Sequence, residues 1–204
     1  MSDGGRETEA KFYVRGLERV RSRLEARNAR RIQERILETN IRFDLPGAPL
    51  RAEGRVLRLR QDASTKLTYK SASTNEQGVL SREEIEFGVD DFDKAKRFLE
   101  ALGYQKLIYY EKYRTTYEWN DAFIMLDELP YGSFVEIEGG TVGSIRAIAD
   151  QLNLKWETAV GTSYTALLER VRTNLHIAFE DLSFAEFSGV QVDAVHLNVH
   201  AADA

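Results

Sequence analysis

Short segments in which charged and apolar residues alternate recur along this chain, and a period of two belongs to a strand with one polar and one apolar face. Glu7, Glu9, Lys11 and Tyr13 fall on one face of the first such segment, with Ala10, Phe12 and Val14 on the other. Arg58 and Arg60 oppose Leu57 and Leu59, and Lys66, Thr68 and Lys70 oppose Leu67 and Tyr69. Arg82, Glu84 and Glu86 oppose Ile85 and Phe87, and Lys112, Arg114 and Thr116 oppose Tyr113 and Tyr117. Asp127 opposes Leu126, and Glu136 and Glu138 oppose Val135 and Ile137. With a further strand over 33–44 the total is about eight, the number at which a closed antiparallel barrel can hold one small ligand.

Apolar residues at three- and four-residue spacing predict helices over 17–28, 92–102, 142–152 and 163–174, which makes the fold class α+β. Asp90 or Asp91, and Thr162 or Ser163, are expected as N-caps, and Gly103 as the end of the second helix. Helical stripes such as Phe98, Leu99 and Leu102 need an apolar partner, and the greasy strand faces supply one. The pattern leaves two arrangements open: a closed barrel with helices packed on the outside and an ionic lumen, or an open sheet whose charged face meets water. Segments 45–54 and 71–78, rich in Pro, Gly, Ser and Asn, read as turns or mobile flaps beside the barrel mouths.

A chain of 204 residues suits one domain, taken as 1–188, followed by a C-terminal tail, 189–204, with partial order. The stretch FEDLSFAEF ahead of that tail is expected to pack back on the domain. Basic residues number 28 against 33 acidic ones, so the chain lacks the basic excess of a nucleic-acid or anionic-membrane binder. Without cysteine it has no disulfide, thiolate metal site or cysteine nucleophile, and the cytoplasm is the expected location. Apolar runs stay below the roughly 18 residues of a membrane span, and the start does not read as a signal peptide.

Other motifs carry little chemistry. GGTVG (139–143) lacks the Lys-Ser/Thr ending of a phosphate loop and reads as a strand-to-helix turn. His196 and His200 have helical spacing, but no accompanying HExxH, and no Gly-x-Ser-x-Gly elbow is present. The arginine-rich run 18–31 reads as a solvated helix face.

Turned inward, the charged faces would gather seven bases (Lys11, Arg58, Arg60, Lys70, Arg82, Lys112, Arg114) and seven acids (Glu7, Glu9, Glu84, Glu86, Asp127, Glu136, Glu138). Burying such ions costs several kcal/mol each unless they are paired or bound to a counter-ion, so a purely structural role gives little reason to keep them. An Arg-x-Arg strand sets two guanidinium forks about 7 Å apart on one face, suited to neighbouring phosphoryl groups. Glu-x-Glu pairs offer hard oxygen donors to Mg²⁺ or Mn²⁺.

The ordered series ETEAK (7–11), RLR (58–60), LTYK (67–70), REEIE (82–86), EKYR (111–114), LDEL (126–129) and FVEIEG (134–139), running on into SYTALL, resembles the CYTH superfamily over residues 6–175. That superfamily takes its name from class IV adenylyl cyclases and thiamine triphosphatase, and its members are also called triphosphate tunnel metalloenzymes. The resemblance implies an eight-stranded antiparallel tunnel that binds a triphosphate inside it and requires a divalent metal, Mg²⁺ or Mn²⁺. It implies phosphate contacts from Lys11, Arg58, Arg60, Lys70, Arg82, Lys112 and Arg114, and metal-side carboxylates at Glu7, Glu9, Asp127, Glu136 and Glu138. Lys11 and Glu136 are taken as catalytic. Glu84 and Glu86 match family acids whose part, metal contact or orientation of the bases, stays open.

The substrate implied is a small triphosphate of the tripolyphosphate, ATP or thiamine triphosphate class, acted on by a monomer or homodimer. Hydrolysis of the terminal phosphate is the favoured reaction, cyclisation of ATP to cyclic AMP and pyrophosphate the second, and non-catalytic polyphosphate or nucleotide binding the third. Tyr69, Tyr109, Tyr110, Tyr131 and Trp119 are candidates to stack a base.

Overall fold

The protein is described here by a computed structural model, covering residues 6–76 and 78–204. In chain order the elements are β1 (Arg6–Val14), α1 (Leu17–Glu25), β2 (Arg30–Asp44), α2 (Pro49–Ala52), β3 (Val56–Gln61), β4 (Thr65–Lys70), β5 (Thr74–Glu76) and β6 (Val79–Val89). They continue with α3 (Phe92–Ala101), β7 (Gln105–Trp119), β8 (Ala122–Leu129), β9 (Gly132–Glu138), α4 (Val142–Gln151), a 3₁₀ turn (Trp156–Thr158), α5 (Tyr164–Leu175) and α6 (Ala194–Leu197).

Antiparallel ladders run in the order β1-β9-β8-β7-β2-β3-β4-β6, and β6 pairs back with β1 to close an eight-stranded barrel. β5 adds to β6 outside that ring. Closure settles the alternative left open by the alternation, because the charged faces now surround an interior and most of the apolar faces meet helices, while Ile85 and Phe87 of β6 stay 48% and 53% exposed.

Phe12, Ile124, Val135 and Ile137 lie against Val20 and Leu24 of α1 and Ile145 and Ile148 of α4. On the other side, Leu99 of α3, with Phe92 and Ala95 beside it, covers Ile41, Phe43 and Leu59. Asp91 caps α3 by accepting from the Lys94 N–H, and Gly103, at φ +90, takes the left-handed conformation that stops it. Truncating a fully buried side chain such as Phe12 to alanine would cost about 3–5 kcal/mol.

The fourth long helix is placed differently. α5, capped by Ser163 at the Ala166 N–H, packs Leu167, Leu168 and Val171 with Ile108, Tyr110 and Phe134. Ile108 and Tyr110 are in phase with Lys112, and Phe134 with Glu136, so α5 meets inward-facing residues and closes one end of the barrel.

Both segments expected as turns or flaps contain an element. In 45–54, α2 is held by the Asp44 carboxylate, which accepts from the backbone N–H groups of Leu45, Leu50 and Arg51. Segment 71–78 contains β5, and its Gln77 lies outside the described residues. FEDLSFAEF packs beside β7 where β8 has ended: Leu182 donates to Tyr109 O, and Glu111 donates to Leu182 O.

Instead of a tail with partial order, residues 189–204 are docked. Leu197 is fully buried, Ala202 donates to Tyr13 O, and Lys155 donates to Ala202 O. The weak periodicity misled because isolated apolar anchors and backbone hydrogen bonds hold this stretch, and neither leaves a repeating pattern. His196 Nδ1 accepts from the Asp193 N–H, so that histidine caps α6. Among the described residues no helix is long and apolar enough to cross a membrane.

Candidate active site

The barrel encloses a cavity of about 430 Å³, and of the fourteen ionic residues expected on its inner face all line it except Asp127. Asp127 is fully buried behind the wall: Arg114 donates to Oδ1 at 2.6 Å, and Lys112 and the Tyr164 hydroxyl donate to Oδ2 at 2.9 and 2.8 Å. With both oxygens so occupied, it serves in this structure as counter-ion to the bases, and it is the one residue of the expected metal-side set that does not line the cavity.

Glu136 does reach the cavity, with Lys11 Nζ 2.9 Å from one oxygen and Arg114 at the other. Burial opposes its charge, yet Lys11, Lys112 and Arg114 hold its carboxyl well below the usual range. Burial alone would likewise lower Lys11, but Glu136, Glu9 and Asp127 hold the ammonium above its ordinary value. This pair stays ionised near neutral pH, and Lys11 also lies over the Tyr164 ring, 4.4 Å from its centre.

Glu38 of β2 sits at the centre of the basic side, within 3.6 Å of Lys112, 3.8 Å of Arg60 and 4.0 Å of Arg114. Its burial disfavours ionisation, but Lys112, Arg114, Arg60 and Arg58 outweigh that and keep it charged. Glu86 binds Arg58 and Arg60 at 3.5 and 3.3 Å; burial is again outweighed, chiefly by Arg60, and its carboxyl falls to about 2. The Nε group of Arg58 is buried without a hydrogen-bond partner among the described residues, and Arg60 Nε has the Asp62 carboxylate at 3.5 Å. Cationic donors so loosely committed fit an oxygen-rich anion.

At the acidic side, Glu7 holds Lys70 at 2.7 Å and Arg82 at 3.3 Å, and Glu84 holds Lys70 at 3.0 Å. Glu138 is pushed up to about 7 by burial and by the charges of Glu7, Glu9 and Glu84, with Lys70 only partly offsetting them. Among the described residues no three carboxylates gather into a ready-made metal cage. The donor chemistry fits a cation held by one or two carboxylates, Glu9 and Glu138 foremost, and completed by phosphate oxygens and water, the habit of Mg²⁺.

Lining residues that the sequence assignment missed include Glu38, Arg42, Asp62, Lys66 and Tyr164. Glu38 and Arg42 show the same alternation, since Glu38, Asn40 and Arg42 are separated by Thr39 and Ile41. Tyr164 gives no such signal, because a helix brings it to the lumen. Of the candidate base-stacking aromatics only Tyr110 lines the cavity, while Tyr131 is fully buried and donates to Tyr164 O. Phe123 also lines it and remains 43% exposed. Thr141, within GGTVG, caps α4 by accepting from Ser144 N–H, which accounts for that motif.

The chain is matched over residues 5–155 by the family model for the CYTH domain. Its structure is similar to that of a candidate adenylate cyclase from Vibrio parahaemolyticus, with TM-score 0.73 and 22% identity over 82% of this chain and 99% of that one. A protein from Pyrococcus horikoshii OT3 is 26% identical, with TM-score 0.66 over 78% of this chain and 96% of that one. A candidate adenylyl cyclase from Hippeastrum, described as revealing a dominant triphosphatase activity, is 19% identical, with TM-score 0.59 over 80% and 95% of the two chains. No curated protein matches. Three quarters of the chain thus fit one family description, over a closed barrel with an ionic lumen, and the protein belongs to the CYTH domain family.

Proposed function

We propose that this protein is a divalent-cation-dependent triphosphatase that takes a small triphosphate into the barrel lumen and cleaves its terminal phosphoanhydride bond. The observation that carries this reading is the convergence of Arg58, Arg60, Lys70, Arg82, Lys112 and Arg114 on one cavity, with the Arg58 Nε donor left without a hydrogen-bond partner there among the described residues. Phosphate oxygens would take the place of the internal carboxylate partners of these bases.

Water attacks the terminal phosphorus as the bridging P–O bond breaks, the leaving phosphate chain carries off the electron pair, and the proton of the attacking water passes to a phosphate oxygen of the products or to solvent. Arg58, Arg60 and Arg114 hold equatorial oxygens and align the reacting atoms, and Lys11, permanently charged, offsets the developing negative charge. Glu136 fixes Lys11 in place. Glu9 and Glu138 would hold Mg²⁺ or Mn²⁺, which when bound neutralises phosphate oxygens. α5 closes one end of the barrel and limits bulk water there.

A second reading, cyclisation of ATP, is favoured by Phe123, an exposed ring opposite Glu138 in the ladder, where a base could stack. Purified protein given tripolyphosphate or ATP with Mg²⁺ or Mn²⁺ separates the two. Orthophosphate from tripolyphosphate supports the triphosphatase. Cyclic AMP with pyrophosphate as the sole products, or no turnover with either metal, overturns it.

A further inference from the structure

A second cavity, of about 540 Å³, adjoins the lumen at the end near α2 and the start of α5, and Arg42, Arg82 and Thr165 line both spaces. Arg42 is therefore at the neck between them. Its Nη1 donates to Thr165 Oγ1 at 2.7 Å, and its Nε is buried without a partner among the described residues.

Every other cation lining the lumen has a carboxylate within 4.0 Å; among the described residues Arg42 has none. Arg58 and Arg82, which line the lumen with it, have its own sign. Arg58 is its register partner across the β2–β3 ladder, and burial together with Arg82, Arg51 and Arg58 lowers the Arg42 guanidinium below its ordinary value. An arginine kept in that position lacks a counter-ion that the folded chain does not supply.

Beyond the neck, Arg51 and Arg172 share one carboxylate, Glu169, at 3.7 and 3.3 Å. Among the described residues no aromatic ring lines this outer cavity, so they offer a base no platform. We propose that Arg42, with the Thr165 hydroxyl, binds a phosphate group beyond the third, so that the chain takes linear polyphosphates of four or more phosphates, threaded from the lumen through the neck. The inference rests on the triphosphate reading and extends it to substrate length.

The test is titration calorimetry of the full chain with tripolyphosphate, tetrapolyphosphate and ATP, in EDTA at fixed ionic strength. Tetrapolyphosphate is expected to bind about tenfold more tightly than tripolyphosphate, one charge-assisted contact's worth. Any cationic surface favours the longer chain to some degree, so the readout is how that ratio depends on the neck. Arg42→Gln should bring it below about threefold, and Thr165→Val, which frees the guanidinium without removing it, should lower it in the same direction and covers the case in which R42Q does not fold.

A wild-type ratio near one, a ratio that both variants leave intact, or an Arg42-dependent preference for ATP over tetrapolyphosphate each overturns the inference while leaving the triphosphate site standing. If tripolyphosphate binds neither in EDTA nor with Mg²⁺ present, it is the triphosphate reading that fails.

Discussion

Glu9 and Glu138 are register partners across the β1–β9 ladder, two acids set opposite each other with Glu7 and Glu84 adding to the same field. Like charges so placed repel. The barrel keeps them at the side of the lumen where the basic residues Lys70 and Arg82 are already committed to Glu7 and Glu84.

That arrangement predicts a pH dependence for the metal-free protein. The Glu138 carboxyl titrates at about 7 when folded, against an ordinary value of about 4.3, so the folded state binds this proton more tightly. Its contribution to stability is present below about pH 4 and drains away as pH rises through 7. Glu86, held at about 2, has the opposite sign: its contribution is present above about pH 4 and is lost as pH falls toward 2. Urea denaturation across this range should show wild type losing stability relative to Glu138→Gln as pH rises, and a constant difference would contradict the placement of Glu138.

Arg58→Ala and Arg60→Ala should each weaken tripolyphosphate binding by about tenfold or more, since each removes charge-assisted hydrogen bonds in a confined site. Calorimetry with the exposed Arg19→Ala as control checks this. Affinity unchanged in both lumen variants would remove these arginines from the site.

Asp127→Asn should cost about 3–5 kcal/mol, because Lys112 and Arg114 then share a wall with no full counter-charge behind them. Chemical denaturation measures it. A loss below about 1 kcal/mol would mean that Glu38 and Glu136 already suffice for these bases.

Glu136→Gln should lower kcat about 100-fold by loosening Lys11, while unfolding remains cooperative. Turnover equal to wild type under Mg²⁺ or Mn²⁺ would exclude Glu136 from the reaction.

Much of this architecture was legible in the sequence because a period of two is a local signal. The strands carrying Glu7, Arg58, Lys70, Arg82, Lys112 and Glu136 each declare their two faces without reference to the others. Closure is not local, and only the pairing of β1 with both β6 and β9 decides that the charged faces look inward. Glu38 and Arg42 were within reach, since β2 alternates like its neighbours. Asp127 follows the same alternation, but its depth is set by Tyr164 arriving from a distant helix. β5 and α2 were missed because each is shorter than the window over which a periodic pattern can be read.

The ring also sets an order of events on the ribosome. β1 leaves first, yet both of its neighbours are made later, β9 last of all the strands. Until Glu138 has emerged, the nascent sheet is an open ribbon with a greasy side and no seam, and its most distant pairing must form after most of the polypeptide exists. Such delayed sealing slows folding and leaves a window in which chaperones have something to grip.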